Sequence, residues 1–196
     1  MRATIVTPPA LEPVTIGEAK AHLRLDSAVG PEDDLVSRLI SAAREHVEAV
    51  TRRALITQTW DVFSEDWPCG EVLEIPKAPL QSVTSVTYTD YLGAVATFAA
   101  TEYGVDTAGA PGRVVLGYGK YWPTTVTLRE YSPIAVRFVA GYGATTASVP
   151  QPIRHAVLLL VSHWFENREP NVIGASVAPL PLAVDALLAP YRVWTF

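Results

Sequence analysis

The sequence predicts an α+β protein: a helical core of three main helices, an inserted small antiparallel β subdomain and an extended C-terminal arm. Three observations carry that expectation. Apolar residues recur at helical spacing before residue 55 and again after residue 148. Between them, the chain switches to short alternating runs rich in Thr, Val, Tyr and Trp, punctuated by Gly and Pro. Beyond residue 170 come further prolines, one brief apolar run and a terminus of large apolar side chains. The expected division is residues 1–55 and 141–170 for the helical core, 56–140 for the β insertion, and 171–196 for the arm.

The first helix announces itself at its start. Thr15, Ile16, Gly17 and Glu18 read as a capping box, in which Thr15 accepts from the amide of Glu18 and the carboxylate returns to the amide of Thr15. Ile16, Ala19 and Leu23 share one face, and the helix should fade near Asp26. It is short and needs something to pack on. Pro31 suits the first position of a second helix, and Glu32, Asp33 and Asp34 favour the positive end of its dipole. Leu35, Leu39, Ala42, Ala43, Val47 and Val50 follow at helical spacing. Arg38, Ser41, Arg44, Glu45, Glu48 and Arg52 are assigned to the opposite face, with Asp34–Arg38 and Arg44–Glu48 as possible pairs four apart.

Near Leu55 the period changes. Strands are expected at Thr57–Phe63, Val72–Ile75, Ser82–Thr89, Ala94–Phe98, Tyr103–Asp106, Arg113–Leu116 and Ile134–Val139. Asp90 to Gly93 should turn a hairpin, and Ala108 to Gly112 a second turn. Helix chemistry returns at Ser148–Gln151, read as another capping box with Pro150 and Pro152 confined to the first turn. Ile153 to Phe165 is apolar on nearly every side, which implies burial on nearly every side. Leu182–Leu188 is too brief to fold alone. The terminal Tyr191, Val193, Trp194 and Phe196 need a docking surface, either the chain's own core or a partner.

Composition narrows the function classes. Charged residues make up 18% against 49% hydrophobic, which is sparse for a soluble monomer and suits a component of an assembly. There are 15 basic residues against 20 acidic ones and no basic run, so sequence-specific DNA binding is not expected. A single cysteine, Cys69, rules out an intrachain disulfide. The opening residues lack the apolar stretch of a signal peptide. The longest apolar run, Ala156 to Val161, falls far short of the roughly 20 residues that span a bilayer. A soluble protein without membrane association is expected.

No catalytic constellation stands out. His155, His163 and Glu166 share the third helix, and a His and Glu three apart can share a metal. Further ligands are missing, so helix histidines that hydrogen-bond or face solvent are the plainer reading. Gly117 to Lys120 lacks the spacing of a phosphate loop and reads as a turn, as does Gly141 to Gly143. Cys69 has no nearby base, and Ser64, Ser82, Ser132 and Ser162 sit in no nucleophile elbow. Neither catalytic residues, metal ligands nor a cofactor are expected. A small metal-dependent hydrolase built on those histidines is the remaining enzymatic alternative.

Several stretches, in order, resemble the head–tail connector, or adaptor, proteins of long-tailed phages, prophages and gene transfer agents. They are Glu12–Leu25, Asp33–Thr59, Pro79–Tyr88, Tyr103–Val114, Val136–Gly143, Val149–Glu169 and Leu180–Phe196. The resemblance implies a non-enzymatic virion structural protein at the head–tail interface, assembled in the host cytoplasm. Its helical adaptor core would form a ring, a dodecamer, through which DNA passes without sequence-specific binding. One face would grip the portal protein, and the other would meet a stopper or tail-terminator protein. By the same analogy, the C-terminal segment becomes the portal-docking arm, with Leu180, Leu182, Leu187, Leu188, Tyr191, Arg192, Trp194 and Phe196 as contacts. Leu158, Val161, Trp164 and Phe165 on the third helix are assigned to contacts between subunits. A stopper or tail terminator of the same particle is the alternative, and the three helices weigh against it.

Overall fold

In the computed structural model, which describes residues 1–167 and 182–194, helices and strands sort into two units. One is helical and combines Leu11–Ile56 with Gly143–Trp194; the other holds the sheets and combines Met1–Ala10 with Thr57–Tyr142. The described residues form four α-helices and two antiparallel sheets, a mixed α+β fold.

In the helical unit, α1 (Ile16–Leu23) begins with the capping box that the sequence announces. Thr15 Oγ1 accepts from the amide of Glu18 at 3.2 Å, and Glu18 Oε2 accepts from the amide of Thr15 at 2.9 Å. Arg24 then turns left-handed at φ 58°, and the amide of Leu25 donates to Lys20 O at 2.9 Å, closing the helix end. α2 (Asp33–Thr51) buries Val36, Ile40, Ala43 and Val47 along one stripe and stops at Arg52, again left-handed. α3 (Gln151–Glu166) buries Ile153, Ala156, Val157, Leu160 and Val161. α4 (Leu182–Leu188) packs against α3 through Val184 and Leu188.

Two local expectations change here. The capping box at Ser148 does not form: the residue capping α3 is Pro150, which lacks a side-chain donor or acceptor, and no side chain caps this end. The fixed, extended backbone of Pro150 puts the cap two residues beyond Ser148, and the helix begins at Gln151. The Ser148 hydroxyl lies 2.9 Å from that of Thr145 instead. Arg44 and Glu48 do not sit on a solvated face either. They are only 7% and 5% exposed, because the segment before α1 brings Glu12 over this side of α2.

In the sheet unit, five strands run in the order β1 (Arg2–Thr7), β2 (Gln58–Ser64), β8 (Ile134–Ala140), β4 (Leu80–Thr89), β5 (Val95–Phe98). A second sheet has the order β3 (Val72–Ile75), β7 (Gly112–Leu116), β6 (Tyr103–Asp106). β2 pairs with β8 in unbroken register from Gln58–Ala140 to Ser64–Ile134. Alternation follows from the pleat: Trp60, Val62, Val136 and Phe138 point to the core. Asp61 and Arg137 face out and form a two-pronged ion pair at 2.8 Å. Gly112 lets the two sheets meet, since a Cβ there would stand 2.5 Å from Leu80 Cβ.

β1 lies outside the strands the sequence identifies. It belongs to this unit, not with the helices, and is an edge strand with polar alternation too short to register as a pattern. The expected hairpin turn does form. Asp90 Oδ1 accepts from the amides of Leu92 and Ala94 at 2.9 and 2.8 Å, and Gly93 takes φ 88°.

Candidate functional site

The C-terminal residues are fastened to the helical unit by their backbone. The amide of Val193 donates to Thr51 O at 3.1 Å, and Arg53 Nε donates to Tyr191 O at 2.6 Å. Arg192 reaches back to Asp185 at 2.8 Å. This geometry sorts the residues assigned to portal contact. Leu188 is fully buried in its own unit, because α4 lays it against α3. Leu187, Tyr191 and Arg192 are half-buried. Leu182 and Trp194 point out, 83% and 68% exposed. Leu180 and Phe196 lie outside the described residues. The described part of the stretch is thus a helix and a 3-10 turn (Ala189–Tyr191) docked on the helical unit.

The residues assigned to subunit contact divide in the same way. Val161 is fully buried in the core of the helical unit. Leu158, Trp164 and Phe165 are half-buried. Trp164 turns toward α2 and meets His46 edge to face, centroids 6.0 Å apart. Leu158 and Phe165, seven apart, share one side of α3.

The histidines do not converge. His155 meets His22 of α1 edge to face at 6.1 Å, while His163 neighbours Asn167 at the other end of α3. Among the described residues, no group of three or more His, Cys, Asp or Glu side chains could hold a metal ion.

Sequence reasoning misses the buried charges of the helical unit. Arg44 Nε donates to Glu12 at 2.8 Å and Nη1 to Glu48 at 3.1 Å, and Glu48 Oε1 accepts from the amide of Leu55 at 2.8 Å. Burial works against the Arg44 charge, but Glu12 and Glu48 more than offset it and raise its pKa above the usual value. Lys20, also buried, donates to Asp33 at 2.7 Å and to Ala28 O. The hydrogen bond from Lys20 holds the Asp33 carboxyl below its ordinary range. Glu18 is lowered chiefly by the Thr15 amide; burial opposes this, and Arg154 adds to the lowering. A spacing-based signal exists only for Arg44–Glu48; the partners Glu12 and Leu55 come from outside the helix.

These arrangements are scaffolding: ion pairs and caps that fix helices, with apolar and aromatic side chains left outward at the C-terminal end. Residues 13–102 match the family model described as phage gp6-like head-tail connector protein. The fold matches the neck of an empty gene transfer agent particle computed with C6 symmetry, with a TM-score of 0.83 and 25% identity over 100% of this chain and 97% of that one. A chain from the virion of a native gene transfer agent particle matches with a TM-score of 0.81 and 25% identity over the same shares. One from the neck of a native particle computed with C12 symmetry gives 0.76 and 24%, again over 100% and 97%. No curated protein matches the sequence.

Proposed function

We propose, from the match of residues 13–102 to the phage gp6-like head–tail connector family model, that this chain is one subunit of a connector ring in the neck of a phage-like particle. The family is one of structural connectors, not enzymes. The observation that carries the reading is the end-to-end likeness to a gene transfer agent neck chain, at a TM-score of 0.83 across 100% of this chain. The ring is proposed as twelve-fold. It lies at the head–tail interface with the portal protein on one face and a stopper or tail-terminator protein on the other. DNA passes through it without sequence-specific contacts, which the excess of acidic over basic residues supports.

Within this reading, the portal grip centres on Leu182 and Trp194, the two assigned contacts that the chain leaves outward. Leu187, Tyr191 and Arg192 flank them. Large aromatic and aliphatic side chains held on an ordered scaffold make good anchors, because little conformational freedom is lost on docking. Contact between subunits is proposed through Leu158 and Phe165 of α3. The test is a double variant, Leu182→Ala with Trp194→Ala, since both side chains are exposed and the fold should persist. Circular dichroism is expected to match the parent, while pull-down by purified portal and incorporation into particles are lost. Normal portal binding by the folded double variant would remove the assignment. Electron microscopy that finds the protein absent from the neck would remove the whole reading.

A further inference from the structure

We propose that the contact between subunits has its second half on α2, whose outward face receives the next copy's Leu158 and Phe165. The contact rests on the proposed ring, which closes only if each copy offers two different, complementary patches. α2 carries more apolar surface than its own unit uses. Val36, Ile40, Ala43 and Val47 are buried in the core. Leu35, Leu39, Ala42 and Ala49, at steps of four, three and seven, form a second stripe on another side. Both leucines are half-buried and both alanines exposed. A helix face turned only to solvent would carry polar side chains at those positions.

Size and charge select a second copy as the occupant. Leu158 and Phe165 are seven residues apart on α3, as are Ala42 and Ala49 on α2, so large side chains meet small ones at a common repeat. With the helices antiparallel, the next copy's Phe165 packs at Ala42 and its Leu158 at Ala49. That register brings the next copy's Glu166 beside Arg38, which lies one turn before Ala42. Arg38 and Glu166 are exposed, and among the described residues neither has an ion-pair partner within its own chain. Glu166 also ends α3, where a negative charge opposes the helix dipole, and a cation across the contact offsets that.

The test reverses each charge in the full chain: Arg38→Glu, Glu166→Arg, and the two together. Circular dichroism should match the parent for all three, since both positions are exposed. Each variant is supplied to particle-producing cells that lack the parent chain, and its amount per purified particle is measured by immunoblot. Either single reversal is expected to lower that amount about tenfold or more, because like charges then face each other at every contact. The double reversal should recover it to within about twofold. An equal mixture of the two single variants should do the same. Copies that alternate around a twelve-fold ring pair either two reversed positions or two unreversed ones at each contact. Single variants that incorporate like the parent would overturn this contact and leave the ring in place. Single variants that fail and are not recovered by the mixture would overturn it too. A parent chain absent from the neck would remove the ring itself, and the contact with it.

Discussion

Glu48 offers the sharpest test of how the helical unit is held together. On its carboxylate, 5% exposed, Oε1 accepts from the buried amide of Leu55 at 2.8 Å, and Oε2 accepts from Arg44 at 3.1 Å. Glu48→Ala removes both. Leaving a buried amide unsatisfied costs about 1–3 kcal/mol. Removing one partner of a buried ion pair costs about 3–5 kcal/mol when the other charge is stranded. Arg44 is not stranded, because Glu12 remains at 2.8 Å and Glu45 at 3.3 Å, so the second cost falls well below that range. The expected total is about 3 kcal/mol. Glu48→Gln keeps an acceptor for Leu55 and loses only the charge, so it should cost about 1 kcal/mol. Urea denaturation at neutral pH, followed by far-ultraviolet circular dichroism, measures both. A loss below about 1 kcal/mol for the alanine variant would refute the reasoning. Equal losses for the two variants would show that the bond to Leu55 contributes nothing.

Two further outcomes follow from other parts of the chain. Gly112→Ala sets a methyl 2.5 Å from Leu80 Cβ, so it should destabilise the sheet unit by about 1–3 kcal/mol in the same assay. The pH dependence has a fixed sign: Glu18 and Asp33 are lowered from 4.5 and 3.8, so their contribution is present above those values and lost as pH falls through the folded pKa. Urea midpoints should hold steady from neutral pH to about 5 and decline below it, and the decline should shrink when Lys20→Met removes the cation beside Asp33.

Much of the fold is legible because its signals are local. The capping box at Thr15 and Glu18 specifies a helix start using four consecutive residues, and it forms. The central strands β2 and β8 lie close to their alternating runs, since each buries one face. What the sequence conceals depends on partners distant along the chain. β1 exists because Arg2–Ile5 find Trp60–Phe63, across more than fifty residues. Arg44 reads as a surface charge until Glu12 covers it. Ser148 has the right spacing for a cap, yet the constraint from Pro150 decides where the helix begins. The C-terminal residues show the same limit: hydrophobicity marks all of them as dockers, but only packing on α3 separates Leu188, turned inward, from Leu182 and Trp194, turned outward.

The fastening of Val193 to Thr51 has a consequence for biosynthesis. Every described residue of the sheet unit has left the ribosome once Tyr142 has cleared the exit tunnel. The helical unit, begun far earlier, still lacks α3, α4 and the Val193 amide that donates to the end of α2. Its N-terminal helices must therefore wait, with the apolar stripe of Val36, Ile40 and Val47 uncovered, while the inserted unit can already fold. A message truncated before α4 would yield a complete sheet unit and a helical unit lacking α4 and the Val193 bond to Thr51. The order of synthesis thus acts as a check on length: the surface bearing Leu182 and Trp194 arises only when the helical unit is completed.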